Sequence, residues 1–211
     1  RGAGNLLGDE QSGHVAALGF ELYLQMLDEA VAEAEASAGE AGEQREPVRL
    51  DVSVDAYIPA DYIAYEQAKI EVHRRIAGAF EVADLKALRD ELEDRFGEVP
   101  EPLKNLLDLQ QARIKLGEAG ARAVTFRGEA LSVTPIDLSD DQAADLRGRL
   151  DKVTIEPGRS QVTVRVPKDA PGRFQRVIEA ADALLAVTTA GAAVAVARPG
   201  LRDPGYVTRA T

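Results

Sequence analysis

The apolar residues of this chain recur with two different periods, and the change between them sets out its organisation. Near the start, Val15, Leu18, Leu22 and Met26 fall on one helical stripe, and Phe20, Leu24, Leu27 and Val31 on another. A helix over residues 14–36 therefore has more than one ordinary buried face and wants packing partners on two sides. Residues 35–46, EASAGEAGEQRE, carry no period and read as an acidic linker. From Pro47 the pattern alternates, with Val48, Leu50, Val52 and Val54 against Arg49, Asp51, Ser53 and Asp55. That predicts a strand over 48–58 with one wet face, ended by Pro59. Asp61 is then the expected cap of a helix over 62–79, with Ile63, Ile70, Ala77 and Phe80 on its inner face.

Two further helices follow. Leu85, Leu88, Leu92 and Phe96 mark the core stripe of one over 82–96, with Gly97 as its stop and Pro100 as the break. Leu103, Leu106, Leu107 and Ile114 mark the next, over 101–117, ended by Gly117 and Gly120. The period then returns to two. Residues 121–128 and 129–136 form a predicted hairpin around Gly128-Glu129. Ser139 and Gln142 have the spacing of a capping box and open a helix over 140–152. Residues 153–157 and 161–166 make a second hairpin, and Pro171 is the natural first residue of a helix over 171–187. Its buried side is Phe174, Val177, Ile178, Ala181, Leu184 and Leu185. The tail, 189–211, is expected to be weakly ordered, with a short edge segment at 194–197.

The expected fold is α+β: a helix layer packed with short antiparallel strands, preceded by a long N-terminal helix and an acidic linker. The expected divisions are 1–36, the end of another domain; 37–46, linker; 47–188, one α+β domain; and 189–211, tail. Such a unit buries enough apolar surface, at about 25 cal/mol per Å², to fold alone. The chain opens on Arg1 and has its single methionine at Met26, so it reads as a segment of a longer protein.

Composition narrows the chemistry. The 211 residues have a net charge of −11, no cysteine and no tryptophan. Disulfides, zinc–thiolate sites and thiol catalysis are excluded. Residues 1–44 hold nine acids against one base, Arg1, and the remaining 27 acids stand against 24 bases. An acidic chain with no Lys/Arg run repels phosphate backbones, which argues against strong independent binding to nucleic acid. No apolar run approaches the ~20 residues that span a bilayer.

Gly2, Gly4 and Gly8 are spaced G-x-G-x-x-x-G, one residue off the dinucleotide fingerprint. No strand precedes them and no Gly-Lys-Ser/Thr follows, so a turn-rich loop is the better reading. His14 and His73 lack partners at metal-ligand spacing, and His73 reads as a half-buried structural imidazole. Asp90, Glu91, Glu93 and Asp94 lie around a helix face among Arg89 and Arg95, as on a solvated surface. Asp137, Asp140 and Asp141 flank a helix N-terminus, where the helix dipole favours negative charge without any bound cation. The residues alone therefore describe a non-catalytic interaction domain with no metal or cofactor site.

The opening stretch, RGAGNLLGDEQSGHVAALGFELYLQML, resembles the segment after the last helicase motif of bacterial transcription-repair coupling factors. RecG-type branch-migration helicases carry a similar translocation (TRG) motif, matched here by Arg1, Gly2, Gly4, Gly8, Gln11, Ser12 and Gly13. The second half separates the two. VDAYIPADYIAYEQAKIEVHRRIAGA and LKALRDELEDRFGEVPEPLKNLL resemble the C-terminal domain peculiar to the coupling factors, with Asp94, Arg95, Phe96, Gly97 and Pro100 as the best signature. That family often has Tyr where His73 stands here. The likeness covers roughly residues 1–40 and 48–120.

The resemblance implies a cytoplasmic parent that is an ATP-dependent double-stranded DNA translocase using ATP and Mg. It displaces stalled RNA polymerase and recruits the excision-repair damage sensor. It implies that Arg1 and Gln11 couple ATP turnover to movement, and that this segment has no catalytic residue and no cofactor of its own. It further implies an autoinhibitory C-terminal domain that masks the damage-sensor-binding domain near the parent's N-terminus and restrains the motor. The two-faced helix 14–36 is expected to pair with another copy, giving a homo-oligomer, and no membrane partner is expected. Two other readings compete: an adaptor that contacts RNA polymerase directly, and a metal-dependent hydrolase using the acidic cluster around Asp94.

Overall fold

The structure, a computed structural model, describes residues 48–50 and 52–196, with side chains through residue 190. The predicted helix 14–36, the acidic linker, Arg1 and Gln11 lie outside the described residues.

The elements in order are β1 (Arg49–Leu50), α1 (Glu66–Ala77), α2 (Val82–Phe96), α3 (Glu101–Glu118), β2 (Ala123–Arg127), β3 (Ala130–Thr134), α4 (Asp140–Arg149), β4 (Val153–Glu156), β5 (Gln161–Arg165) and α5 (Ala170–Val196). The strands form one sheet in the order β1-β2-β3-β5-β4. All neighbours are antiparallel except β1 and β2, which run parallel with Arg49 opposite Ala123. The expected α+β class holds, with that one parallel pair added to the antiparallel strands.

Alternation along the strands decides which sheet face is dry. Val124, Leu131, Val133, Val162 and Val164 are all buried and join a single core with the helices. The opposite face carries Thr125, Ser132, Thr163 and Thr154, one from each of four adjacent strands. Gly128 has φ +60° while Glu129 does not have positive φ, the pattern of a two-residue II′ hairpin turn. The α3 and α5 helices pack along each other, and Lys115 on α3 pairs with Asp182 on α5.

The capping box forms as the spacing predicts. Ser139 Oγ accepts from the Gln142 amide at 3.3 Å, and Gln142 Oε1 accepts from the Ser139 amide at 2.9 Å. Gln142 Nε2 also donates to Val187 O at 3.1 Å, which ties α4 to α5.

Several expectations are corrected. The strand over 48–58 shrinks to β1, although its burial still alternates through Ile58. Beyond β1 two of its backbone groups bond the start of α3: the Tyr57 amide donates to Pro102 O at 3.2 Å, and Asn105 Nδ2 to Asp55 O at 2.9 Å. The next helix runs 66–77 rather than 62–79. Residues 59–62 form a turn closed by the Tyr62 and Ile63 amides on Pro59 O, so Asp61 caps nothing. Ile63 and Ala77 are buried as expected, but Ile70 and Phe80 are exposed, and the inner face of α1 is Val72, His73, Ile76 and Ala77. The helix predicted over 140–152 ends at Arg149. The last helix starts one residue before Pro171, where Asp169 Oδ1 accepts the Gly172 amide at 2.7 Å. It runs on through Val196, so 194–196 are helical and not an edge strand.

Candidate interaction surface

The signature Asp94-Arg95-Phe96-Gly97-x-x-Pro100 closes α2 and opens α3 as a built joint. Gly97 sits at φ +87°, ψ −164°, a region that glycine alone enters readily. Val99 is fully buried behind it, and Pro100 and Pro102 hold the start of α3. The Tyr62 hydroxyl lies 3.0 Å from both Leu92 O and Gly97 O, so it donates to the carbonyl end of α2. Its ring meets Phe96 at a centroid distance of 5.7 Å, tilted by 55°. The Arg95 guanidinium lies 5.1 Å over the Phe96 ring. Phe96, expected in the core stripe, is 36% exposed at the rim of this stack. Burial, with Glu93 nearby, raises the Tyr62 pKa and keeps the phenol a donor.

The outer face of α2 is a charge array with a surplus of acid. Glu91 accepts from Arg75 of α1 at 2.7 Å and from Arg95 at 3.1 Å, and Arg89 donates to Glu93 at 3.1 Å. The two arginines hold the Glu91 carboxyl below the usual range, chiefly through the hydrogen bond from Arg75. Asp90 and Asp94 are exposed and make no ion pair among the described residues. They stand four apart on α2, so their carboxylates are neighbours of like sign.

Among the described residues no three His, Asp or Glu side chains converge as a metal site, so the acidic cluster is an array around a helix and not a cage. His73 is buried rather than half-buried, at 3% exposure, and burial, helped by Lys69, lowers its pKa to about 4. Its imidazole is neutral, with Nδ1 unbonded. The residues that sequence reading missed are Gln110 and Arg113 on α3. Gln110 Nε2 donates to Ala79 O at 3.1 Å, and Arg113 Nη2 to Leu50 O at 3.3 Å, so each binds an entering or leaving backbone segment to the central helix. Both fall on the stripe begun by Leu103, Leu106 and Leu107, and that period was the signal that they face inward.

The comparisons with known proteins agree with this build. Residues 52–146 match the TRCF domain. A transcription-repair-coupling factor of Mycobacterium tuberculosis is 35% identical over 177 residues, covering 80% of this chain and 14% of that protein. That of Staphylococcus haemolyticus is 34% identical over 176 residues, 80% of this chain and 15% of that protein. That of Staphylococcus aureus is 38% identical over 133 residues, 63% of this chain and 11% of that protein. The chain thus spans about one seventh of the length of the first two relatives. A crystal structure of the C-terminal domain of transcription-repair coupling factor superposes with a TM-score of 0.59 at 19% identity, covering 69% of this chain and 96% of that one, which is a likeness of fold. No helix among the described residues is long and apolar enough to cross a membrane. The TRCF signature at the α2–α3 joint, the matched family domain and the relatives together place this chain in the transcription-repair-coupling factor family, in its C-terminal part.

Proposed function

We propose that this chain is the autoinhibitory C-terminal segment of an ATP-dependent DNA translocase that displaces stalled RNA polymerase and recruits excision repair. It binds the damage-sensor-binding domain near the N-terminus of the same protein and masks it. Arg1 and Gln11 belong to the motor side of the segment and couple ATP turnover to movement, while ATP and Mg are held by the motor.

The observation that carries the docking role is the pair Asp90 and Asp94. Like charges four apart on a helix repel, and Asp94 lies in the last turn, where the helix dipole disfavours an anion. The arginines within reach are engaged elsewhere, on Glu91 and Glu93. An acidic pair engaged by no ion pair among the described residues suits a basic partner surface. A tethered clamp of this kind acts at high effective concentration, so a weak contact suffices and polymerase engagement can release it.

The test is titration of this chain against the parent's N-terminal damage-sensor-binding domain at low and high salt. Salt-sensitive binding that the damage sensor competes away, and that Asp90→Lys/Asp94→Lys weakens at least tenfold, supports the clamp. Binding to RNA polymerase with none to that domain would replace it with the adaptor reading.

A further inference from the structure

The solvent face of the sheet carries a second, oppositely charged feature. An open cleft of about 590 Å³ lies over it, lined by Arg127, Lys152 and Arg165, with Thr154, Thr163 and Glu129. The register explains the clustering. Arg127 stands opposite Ala130, and Ala130 opposite Arg165, so two guanidiniums flank a small residue two strands apart. Ala130 leaves the floor open between them. Lys152 approaches from the turn before β4.

Three observations mark this corner as more than a wet sheet face. Arg127 and Lys152 make no ion pair among the described residues, whereas Glu129 is already shared by Arg165 at 2.9 Å and Lys168 at 3.5 Å. Lys152 has φ +55°, a left-handed conformation that Gly or Asn would hold at lower cost. Finally, the cluster is basic in a chain of net charge −11, whose own residues 1–44 hold nine of the acids.

We infer that the Arg127–Lys152–Arg165 cleft docks the acidic stretch Glu33–Glu46 of this same chain. The inference is independent of the clamp proposed above, which uses α2. Charge complementarity names the occupant, and chain geometry permits it. β1 pairs with the Ala123 end of β2, and Arg127 is four residues further along that strand, about 14 Å away. Eight extended residues can span up to about 26 Å, so Glu40 comes within reach of the corner from Val48. Exposed Arg49, opposite Ala123, lies on the same face as Arg127 and continues the cationic path towards the point of entry. The tether supplies millimolar effective concentration, which a free polyanion repelled by the net charge lacks. Docking would hold the linker against the domain and limit how far the domain swings from whatever precedes it.

The experiment is limited proteolysis of the full 211-residue chain with a Glu-specific endoprotease, following cleavage within residues 33–46. In 20 mM salt, Arg127→Gln/Lys152→Gln is expected to raise the cleavage rate about fivefold over wild type, the scale of two exposed ion pairs. At 0.5 M salt the two rates are expected to converge. Circular dichroism of the variant reports whether the fold is intact, and the single variant Arg127→Lys, which keeps the charge, should cleave like wild type. Equal rates at both salts would overturn the inference. So would NMR signals of Arg127 and Lys152 that shift with added duplex DNA or inorganic phosphate but do not respond to Glu40→Gln/Glu43→Gln.

Discussion

The Tyr62 hydroxyl lies 3.0 Å from the carbonyl oxygens of both Leu92 and Gly97, so one side chain before α1 fastens the carbonyl end of α2. The Leu92 carbonyl already accepts within α2, so the single phenol proton is a further donor shared between it and Gly97 O, just past the helix end at the joint that opens α3. Tyr62→Phe keeps the ring on Phe96 and removes only the donor. It is expected to cost about 1 kcal/mol in urea unfolding, with the slope of the transition unchanged.

Gly97 sets the same joint from the backbone. A Cβ added there meets nothing within 4 Å, so substitution is opposed by conformation alone. Gly97→Ala at φ +87° is expected to destabilise by about 1–3 kcal/mol. Gly148 also has open space around a built Cβ but no positive φ, and lies in α4. Gly148→Ala is expected to stabilise by about 0.5–1 kcal/mol. Thermal unfolding of the pair checks that φ, and not volume, decides.

His73 gives the fold a pH dependence. Its pKa is lowered from 6.5 to about 4 in the folded chain, by burial first and Lys69 second. The unfolded state therefore binds the proton more readily, and stability rises with pH between those values. The contribution is fully present above pH 6.5 and is lost as pH falls towards 4, by about 3 kcal/mol in all. Urea unfolding across pH 4–7 should show this slope, and His73→Gln should remove it. An imidazole that titrates by NMR near 6.5 would contradict it.

What the sequence made legible was local. The Ser139–Gln142 box needs only residues three apart, and it forms as read. The stripes of α2 and α3 named Leu85, Leu88, Leu92, Leu103 and Leu106 correctly, because their period is intrinsic to each helix. The failures are non-local. Residues 52–58 keep a strand's alternation of burial, but Tyr57 and Asp55 bond to Pro102 and Asn105 of a helix that pattern alone does not bring near. Ile70 and Phe80 fit a stripe and are exposed, because no element among the described residues covers them. The left-handed Lys152 breaks the rule for turn residues and left no signal. The spacing marks the acidic face of α2 as a solvated charge run, and composition cannot show that its arginines are taken by Glu91 and Glu93, leaving Asp90 and Asp94 in no ion pair among the described residues.

That pair yields a prediction in which stability and binding move in opposite directions. Asp94→Asn relieves the repulsion from Asp90 and removes an anion from the carbonyl end of α2. The variant is expected to be more stable than wild type by about 0.3–0.5 kcal/mol, and to bind the damage-sensor-binding domain several-fold more weakly in low salt. A residue serving only the fold would lose stability when neutralised, and a merely solvated one would leave binding unchanged. Thermal unfolding and titration on the same preparation separate the three cases, because only a docking carboxylate raises the midpoint and lowers the affinity together.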